Sequence, residues 1–222
     1  RSERPKPLHR ICGRPMVLHV IHALEMVHPE RTAVVVGHGA EQVTKKVLEL
    51  APAWANVTFA EQVRQMGTGD AAAVGLDAIG GDDYADDAHV IVVAGDTPLL
   101  SAAAVDELLA DHVASGNAAT LLTSRLADPT GYGRIVRHRD GRVLRVVEQR
   151  DATPDELTVD EVCTSIYAFR RDLLGPALRN LTTDNAQGEL YLTDVVAGLA
   201  GMGHRVGTDD APNTETQGVN DR

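Results

Sequence analysis

"HVIVVAGDTPLL" (89–100) decides the fold. Val90 to Ala94 form a short apolar run rich in β-branched residues, the pattern of a strand buried on both faces. Gly95, Asp96, Thr97 and Pro98 follow with no transition, so the strand delivers a carboxylate straight onto a turn that proline stiffens. Behind the turn, "SAAAVDELLADHVA" (101–114) has helical spacing, with Ser101 as its expected N-cap. In an open α/β sheet, ligands bind beyond the carboxyl ends of the strands. A carboxylate there is suited to holding Mg²⁺, which in turn holds phosphates. The alternative is that Asp96 simply caps the turn.

Outward from this unit, strands and helical patterns alternate, which predicts βαβ units. "MVLHVIHALEMV" (16–27), "AEQVTKKVLEL" (40–50) and "GTGDAAAVGLDAI" (67–79) read as helices, and "TAVVVG" (32–37) and "NVTFA" (56–60) as strands. From about residue 118 the texture changes to "AATLLTSRL", "GYGRIVRHRDGRVLRVVEQ" and "EVCTSIYAF", strands with an Asp-Gly hairpin turn at 139–142. Helices are expected over 170–181 and 189–202. The fold class is therefore α/β: a Rossmann-like mixed, mostly parallel sheet flanked by helices. One domain is expected over 1–222, with halves at 1–117 and 118–222.

The net charge of −11 argues against a general nucleic-acid binder, though not against a local cationic site for one phosphorylated ligand. No apolar run approaches the roughly 18 residues of a membrane span. Cys12 and Cys163, the two cysteines, make neither a zinc knuckle nor a disulfide framework, and a reducing cytoplasm is the expected home.

Three further stretches suit a phosphorylated ligand. Lys6 stands between Pro5 and Pro7, a stiff ammonium suited to phosphate; a solvated surface lysine is the alternative. Gly67-Thr68-Gly69 opens a helix, where backbone N–H groups bind anions or ring carbonyls, or merely enter the helix. "DPTGYGR" (128–134) brings two glycines around Tyr132, for close backbone approach or a tight hairpin. His19, His22 and Glu25 share a helix face and are read as amphipathic patterning rather than a metal site.

In order, "PKPLH", "GHGAEQV", "AEQVRQMGTG", "AGDTPLL", "DPTGYGRIVR", "VVEQRDAT", "NAQGELYLTD" and "GVNDR" resemble the sugar-nucleotidyltransferase family. The likeness is greatest to the uridyltransferase (pyrophosphorylase) domains of the bifunctional N-acetylglucosamine-1-phosphate uridyltransferase/acetyltransferases. It runs from residue 5 to residue 222. The resemblance implies the nucleotide-diphospho-sugar transferase fold, with 1–117 binding nucleotide and 118–222 binding sugar. It implies formation of UDP-N-acetylglucosamine and pyrophosphate from UTP and N-acetylglucosamine 1-phosphate, so that the partners are UTP and a hexosamine 1-phosphate. Gln62, Gly67 and Thr68 would read uracil, and Lys6 would neutralise phosphate charge. Asp96 and Asn220 would hold Mg²⁺. Gly133, Glu148, Cys163, Glu189, Tyr191 and Thr193 would surround the sugar.

The sequence departs from the family in three places. The glycine-rich strand-loop LAAGxGTRM that opens the family is not among residues 1–222, and a chain lacking it is expected to be a crippled enzyme. Cys163-Thr164-Ser165 stands where the family has Asn-Thr-Gly, and a thiol is a weaker hydrogen-bonding group than an amide. Acceptor affinity or acceptor choice is expected to change, unless Cys163 is a small core residue. An acetyltransferase β-helix is not expected within residues 1–222, and a homotrimer is expected only if the full protein carries one. The competing readings are the same chemistry on another sugar phosphate or nucleotide, and a nucleotide-binding domain without turnover.

Overall fold

The computed structural model describes residues 4–80, 84, 85, 87–216 and 218. Its strands are β1 (Arg10–Ile11), β2 (Arg14–Pro15), β3 (Thr32–Val36), β4 (Val57–Glu61), β5 (His89–Val93), β6 (Ala119–Arg125), β7 (Gly133–Arg137), β8 (Val143–Val147), β9 (Glu161–Arg170) and β10 (Val206–Asp210). The α-helices are α1 (Met16–Ala23), α2 (Ala40–Leu50), α3 (Thr68–Ala78), α4 (Ala102–Ser115), α5 (Arg171–Arg179), α6 (Thr193–Gly201) and α7 (Asn213–Thr216).

Helices flank the sheets, as the alternating pattern predicts, and the architecture is mixed α/β. The expectation of a mostly parallel sheet is corrected. Parallel ladders join β3 to β4 and β6 to β10, whereas β5–β9, β6–β9, β7–β9 and β7–β8 are antiparallel. The cause is β9. This long strand from the C-terminal half lies beside β6 along one edge. Along its other edge it takes β5 and then β7, end to end.

β5 is covered on both faces, which explains its unbroken apolar sequence. Val90 and Val92 pack on a core built around Phe169, Leu121 and Leu199, while Ile91 and Val93 pack on a second core around Leu108, Val105 and Ile166. Full burial of such a side chain is worth about 1.5–3 kcal/mol of transfer free energy, and these half-buried residues contribute a part of that. α1 ties the second core to a third beneath β3 and β4, placing Ala23 in one and Val17, Leu18 and Ile21 in the other. Ser101 caps α4 as expected, its side chain accepting from Ala104 N–H at 3.1 Å. The last expected helix starts late, at Thr193 rather than 189. Leu190 is held extended instead, its N–H donating to Met66 O and its carbonyl accepting from Gly69 N–H, both at 2.7 Å.

Candidate functional site

The carboxyl end of β5 carries Asp96, half-buried on a turn that is fixed from beneath. The buried Thr97 hydroxyl donates to Ala94 O at 2.9 Å, and Leu100 N–H returns to Thr97 O at 3.3 Å. Lys6 reaches Asp96 from the other end of the sequence, Nζ to Oδ2 at 2.6 Å. Its short 3₁₀ turn, Lys6–Leu8, rests on Pro5, which is buried against Gly39. Gly39 has φ +76°, and a Cβ there would run into the Pro5 ring. The two candidates that sequence placed 90 residues apart are thus one ion pair.

Gln62 lies just past the end of β4. Its Nε2 donates to Gly67 O at 3.1 Å and to Asp70 Oδ2 at 2.7 Å, so the 62–70 loop is closed on itself. Gly67 has φ +109°, and a Cβ there would sit 2.6 Å from Leu190 O and 2.9 Å from Glu189 Cβ. No residue with a side chain fits without moving backbone. The exposed Thr68 accepts Leu192 N–H on its hydroxyl at 3.0 Å. The expected nucleotide loop therefore lies edge to edge with 189–192, part of the expected sugar segment.

The sugar candidates gather past the end of β8. Thr193 Oγ1 donates to Glu148 Oε1 at 2.9 Å. A Cβ on Gly133 would sit 3.6 Å from both Glu148 oxygens, so glycine leaves the carboxylate open on that side. Burial pushes the Glu148 carboxyl above its ordinary range; the Thr193 hydrogen bond opposes this, and Asp151 and Asp194 add to it. Tyr191 is buried, and burial raises its phenol above the ordinary value. Asp151 accepts Ala186 N–H at 2.8 Å, and Asn185 Oδ1 accepts the N–H groups of Gln187 and Glu189, both at 3.2 Å. These two residues shape the 185–189 loop and were not singled out from sequence. Their signal was Asn185 inside "NAQGEL", a short side chain that closes local turns.

Cys163 is placed differently from its expected sugar contact. It is buried in the core beside Tyr167, and its thiol donates to the Tyr167 hydroxyl at 3.2 Å. Burial pushes the thiol up to about 11, so it is neither a nucleophile nor a ready sugar ligand. Its neighbour Ser165 is the exposed residue of the triplet. Asn220 lies outside the described residues. His19 bonds Ile11 O at 3.0 Å and His22 meets the Trp54 ring edge-on, both packing roles. Among the described residues no group of three His, Cys, Asp or Glu side chains is placed to hold a metal.

Comparison with known proteins fits this geometry. A nucleotidyl transferase family model matches residues 2–210. The bifunctional protein GlmU of Thermobifida fusca is 47% identical over the whole chain, and that of Lactobacillus gasseri 44%; the chain covers 46% of each. The chain thus spans about half the length of the curated relatives it matches. Among solved structures, a nucleoside-diphosphate-sugar pyrophosphorylase from Vibrio cholerae aligns over 96% of this chain and 86% of its own, with a TM-score of 0.72 at 17% identity. HddC from Yersinia pseudotuberculosis aligns over 95% and 82%, with a TM-score of 0.63 at 16% identity. At such identities the structures speak for the fold alone. Matched by the family model along nearly its whole length, the chain belongs to the nucleotidyl transferase family.

Proposed function

We propose that the protein is an N-acetylglucosamine-1-phosphate uridyltransferase, joining UTP to N-acetylglucosamine 1-phosphate and releasing pyrophosphate. The observation that carries this reading is the contact between residues 66–69 and 190–192, which would set nucleotide and sugar side by side if the first segment takes the nucleotide and the second the sugar. A ligand with a base at one end and a hexose at the other fits such a seam. The names of the GlmU relatives support the choice among sugar nucleotides.

The 62–68 loop would take the uracil edge through Gln62 and the backbone at Gly67 and Thr68. The Thr68 hydroxyl is engaged by Leu192 N–H, so its backbone is the better contact. Glu148, Thr193, Tyr191, Glu189 and the open side of Gly133 would surround the hexosamine. The acceptor phosphate oxygen attacks the α-phosphorus of UTP in line; that P–O bond forms as the bond to the bridging oxygen breaks, and pyrophosphate leaves. Such a reaction asks the protein chiefly for positioning and for positive charge near the phosphates. Lys6 supplies one such charge.

The residues present fit Mg²⁺. Asp96 offers hard carboxylate oxygen at a ligand-facing strand end, and its partner in this structure is already a cation, the Lys6 ammonium at 2.6 Å. Asp96, with Asn220, would hold the ion, which when bound supplies charge neutralisation at the phosphates. The test is pyrophosphate release by the full-length protein with UTP, Mg²⁺ and N-acetylglucosamine 1-phosphate, beside glucosamine 1-phosphate and glucose 1-phosphate. Turnover selective for the first acceptor is expected. Turnover confined to another acceptor would reassign the substrate, and none with any acceptor would leave a binding domain.

A further inference from the structure

β9 holds one residue that breaks its own pattern. Ser165 is exposed, although the four residues before it and the four after it are buried. Its φ is +62°, a left-handed conformation in which a Cβ crowds the backbone and glycine is favoured. The cause is a bulge. Pairing with β6 passes from Leu121↔Tyr167 to Thr123↔Cys163, so Leu122 alone faces Thr164, Ser165 and Ile166. The Thr164 hydroxyl donates to Leu122 O at 2.7 Å and fixes the bulge on that side.

On the other edge of β9 two strands abut at the same place. β5 ends at Val93↔Ile166, and Ala94 N–H donates to Ser165 O at 3.2 Å. β7 begins at Gly133↔Cys163. Ser165 therefore stands at the seam between the strand that leads to Asp96 and the strand whose first glycine faces Glu148. Its hydroxyl also hydrogen-bonds toward Tyr167, whose buried hydroxyl accepts the Cys163 thiol. Strain of this kind persists only where the surroundings over-determine it, and it gathers at ligand sites.

We infer that Ser165 is a specificity-determining residue: its Cβ and hydroxyl form the floor between Asp96 and the Glu148–Thr193 pair and decide which hexose 1-phosphate is accepted. This rests on the transferase reading above. The Cβ occupies space that glycine would leave free. The hydroxyl favours a sugar or phosphate group that can pair with it and disfavours one that would leave it unpaired. The thiol of Cys163 lies behind it in the core and reaches the ligand only through this chain.

Ser165→Gly and Ser165→Ala separate the two contributions, since alanine keeps the Cβ and loses the hydroxyl. In the full-length protein, kcat/KM is measured for N-acetylglucosamine 1-phosphate and glucose 1-phosphate with UTP. Calorimetric Kd values for UDP-N-acetylglucosamine and UDP-glucose are read in parallel and need no turnover. The expected result is a change of about tenfold in the preference ratio for Ser165→Gly, a smaller change for Ser165→Ala, an unaltered KM for UTP and a melting temperature no lower than wild type. Ratios held within about twofold in both assays and both variants would overturn the inference, as would a uniform loss with early melting. If the wild type binds both nucleotide sugars but turns over neither acceptor, the transferase reading fails and the Kd ratio alone judges Ser165. If it binds neither, both fall.

Discussion

Asp96 and Glu148 are the two carboxylates of the proposed site, set in opposite surroundings. Asp96 follows β5, is half-buried and meets the Lys6 ammonium at 2.6 Å. Glu148 follows β8, is more deeply set and meets a neutral hydroxyl, with two further acids, Asp151 and Asp194, close enough to act on it. One environment sets the side chain beside a cation. The other raises the carboxyl and suits it to hydrogen bonding with a neutral polar ligand. In the proposed function, environment rather than residue type divides the work between phosphate and sugar.

The largest break in this comparison is expected from Asp96→Asn. The amide keeps the shape of the side chain and removes its charge. Mg²⁺-dependent pyrophosphate release is expected to fall by at least about 10³-fold, with the melting temperature within a few degrees of wild type, since one surface ion pair is worth only about 0–1 kcal/mol. Turnover near the wild-type rate would remove Asp96 from the metal role.

Gly67→Ala comes next, because it attacks the contact between the 62–70 loop and residues 189–192. A Cβ 2.6 Å from Leu190 O must displace backbone, and φ +109° is hostile to alanine in any case. A loss of about 1–3 kcal/mol in chemical denaturation is expected, together with a higher KM for both substrates. A rise confined to UTP would mean that 189–192 does not depend on the loop.

Glu148→Gln sharpens the contrast on the sugar side. The folded-state carboxyl of Glu148 is raised above its unfolded value. The folded chain therefore holds that proton more tightly, and the stability this confers is full below the unfolded pKa of about 4.3 and is lost as pH rises through the folded value. The glutamine variant is expected to gain stability relative to wild type as pH goes from 4 to 7, measured by urea titration at both ends. Its KM for the acceptor is expected to rise about tenfold while the KM for UTP holds. A stability difference that does not change with pH would place the carboxyl back in its ordinary range.

These regions also differ in how far the sequence revealed them. The strand end and turn that carry Asp96 were legible because every cue is local: an apolar run, a glycine, the acid, then Pro98 to stiffen the turn. β5 could be read as a buried strand for the same reason. Glu148 and Thr193 were placed by family resemblance alone, since no local pattern distinguishes Glu148 from a surface charge beside Arg145 or Arg150. The order and direction of strands were not legible: β9 inserts antiparallel against strands up to about 80 residues away, and such pairing leaves no mark at short range. The exposure of Ser165 and the burial of Cys163 follow from that insertion, so the triplet "CTS" showed a departure without showing which residue faces the ligand.

The smallest effect tests how Asp96 is held. Thr97 is buried, and its hydroxyl closes the turn on Ala94 O at 2.9 Å. Thr97→Val keeps the shape and removes that bond, leaving a carbonyl without its side-chain donor. The expected cost is about 1 kcal/mol, a fall in melting temperature of roughly 2–4 °C for a chain of this size. Turnover is expected to drop by less than about tenfold, because Pro98 and the Leu100 N–H bond to Thr97 O still shape the turn. A loss as deep as that of Asp96→Asn would mean that one hydroxyl, rather than the turn as a whole, sets the direction of the carboxylate. The contrast with Glu148 would then rest on two single hydrogen bonds, Thr97 to Ala94 on one side and Thr193 to Glu148 on the other.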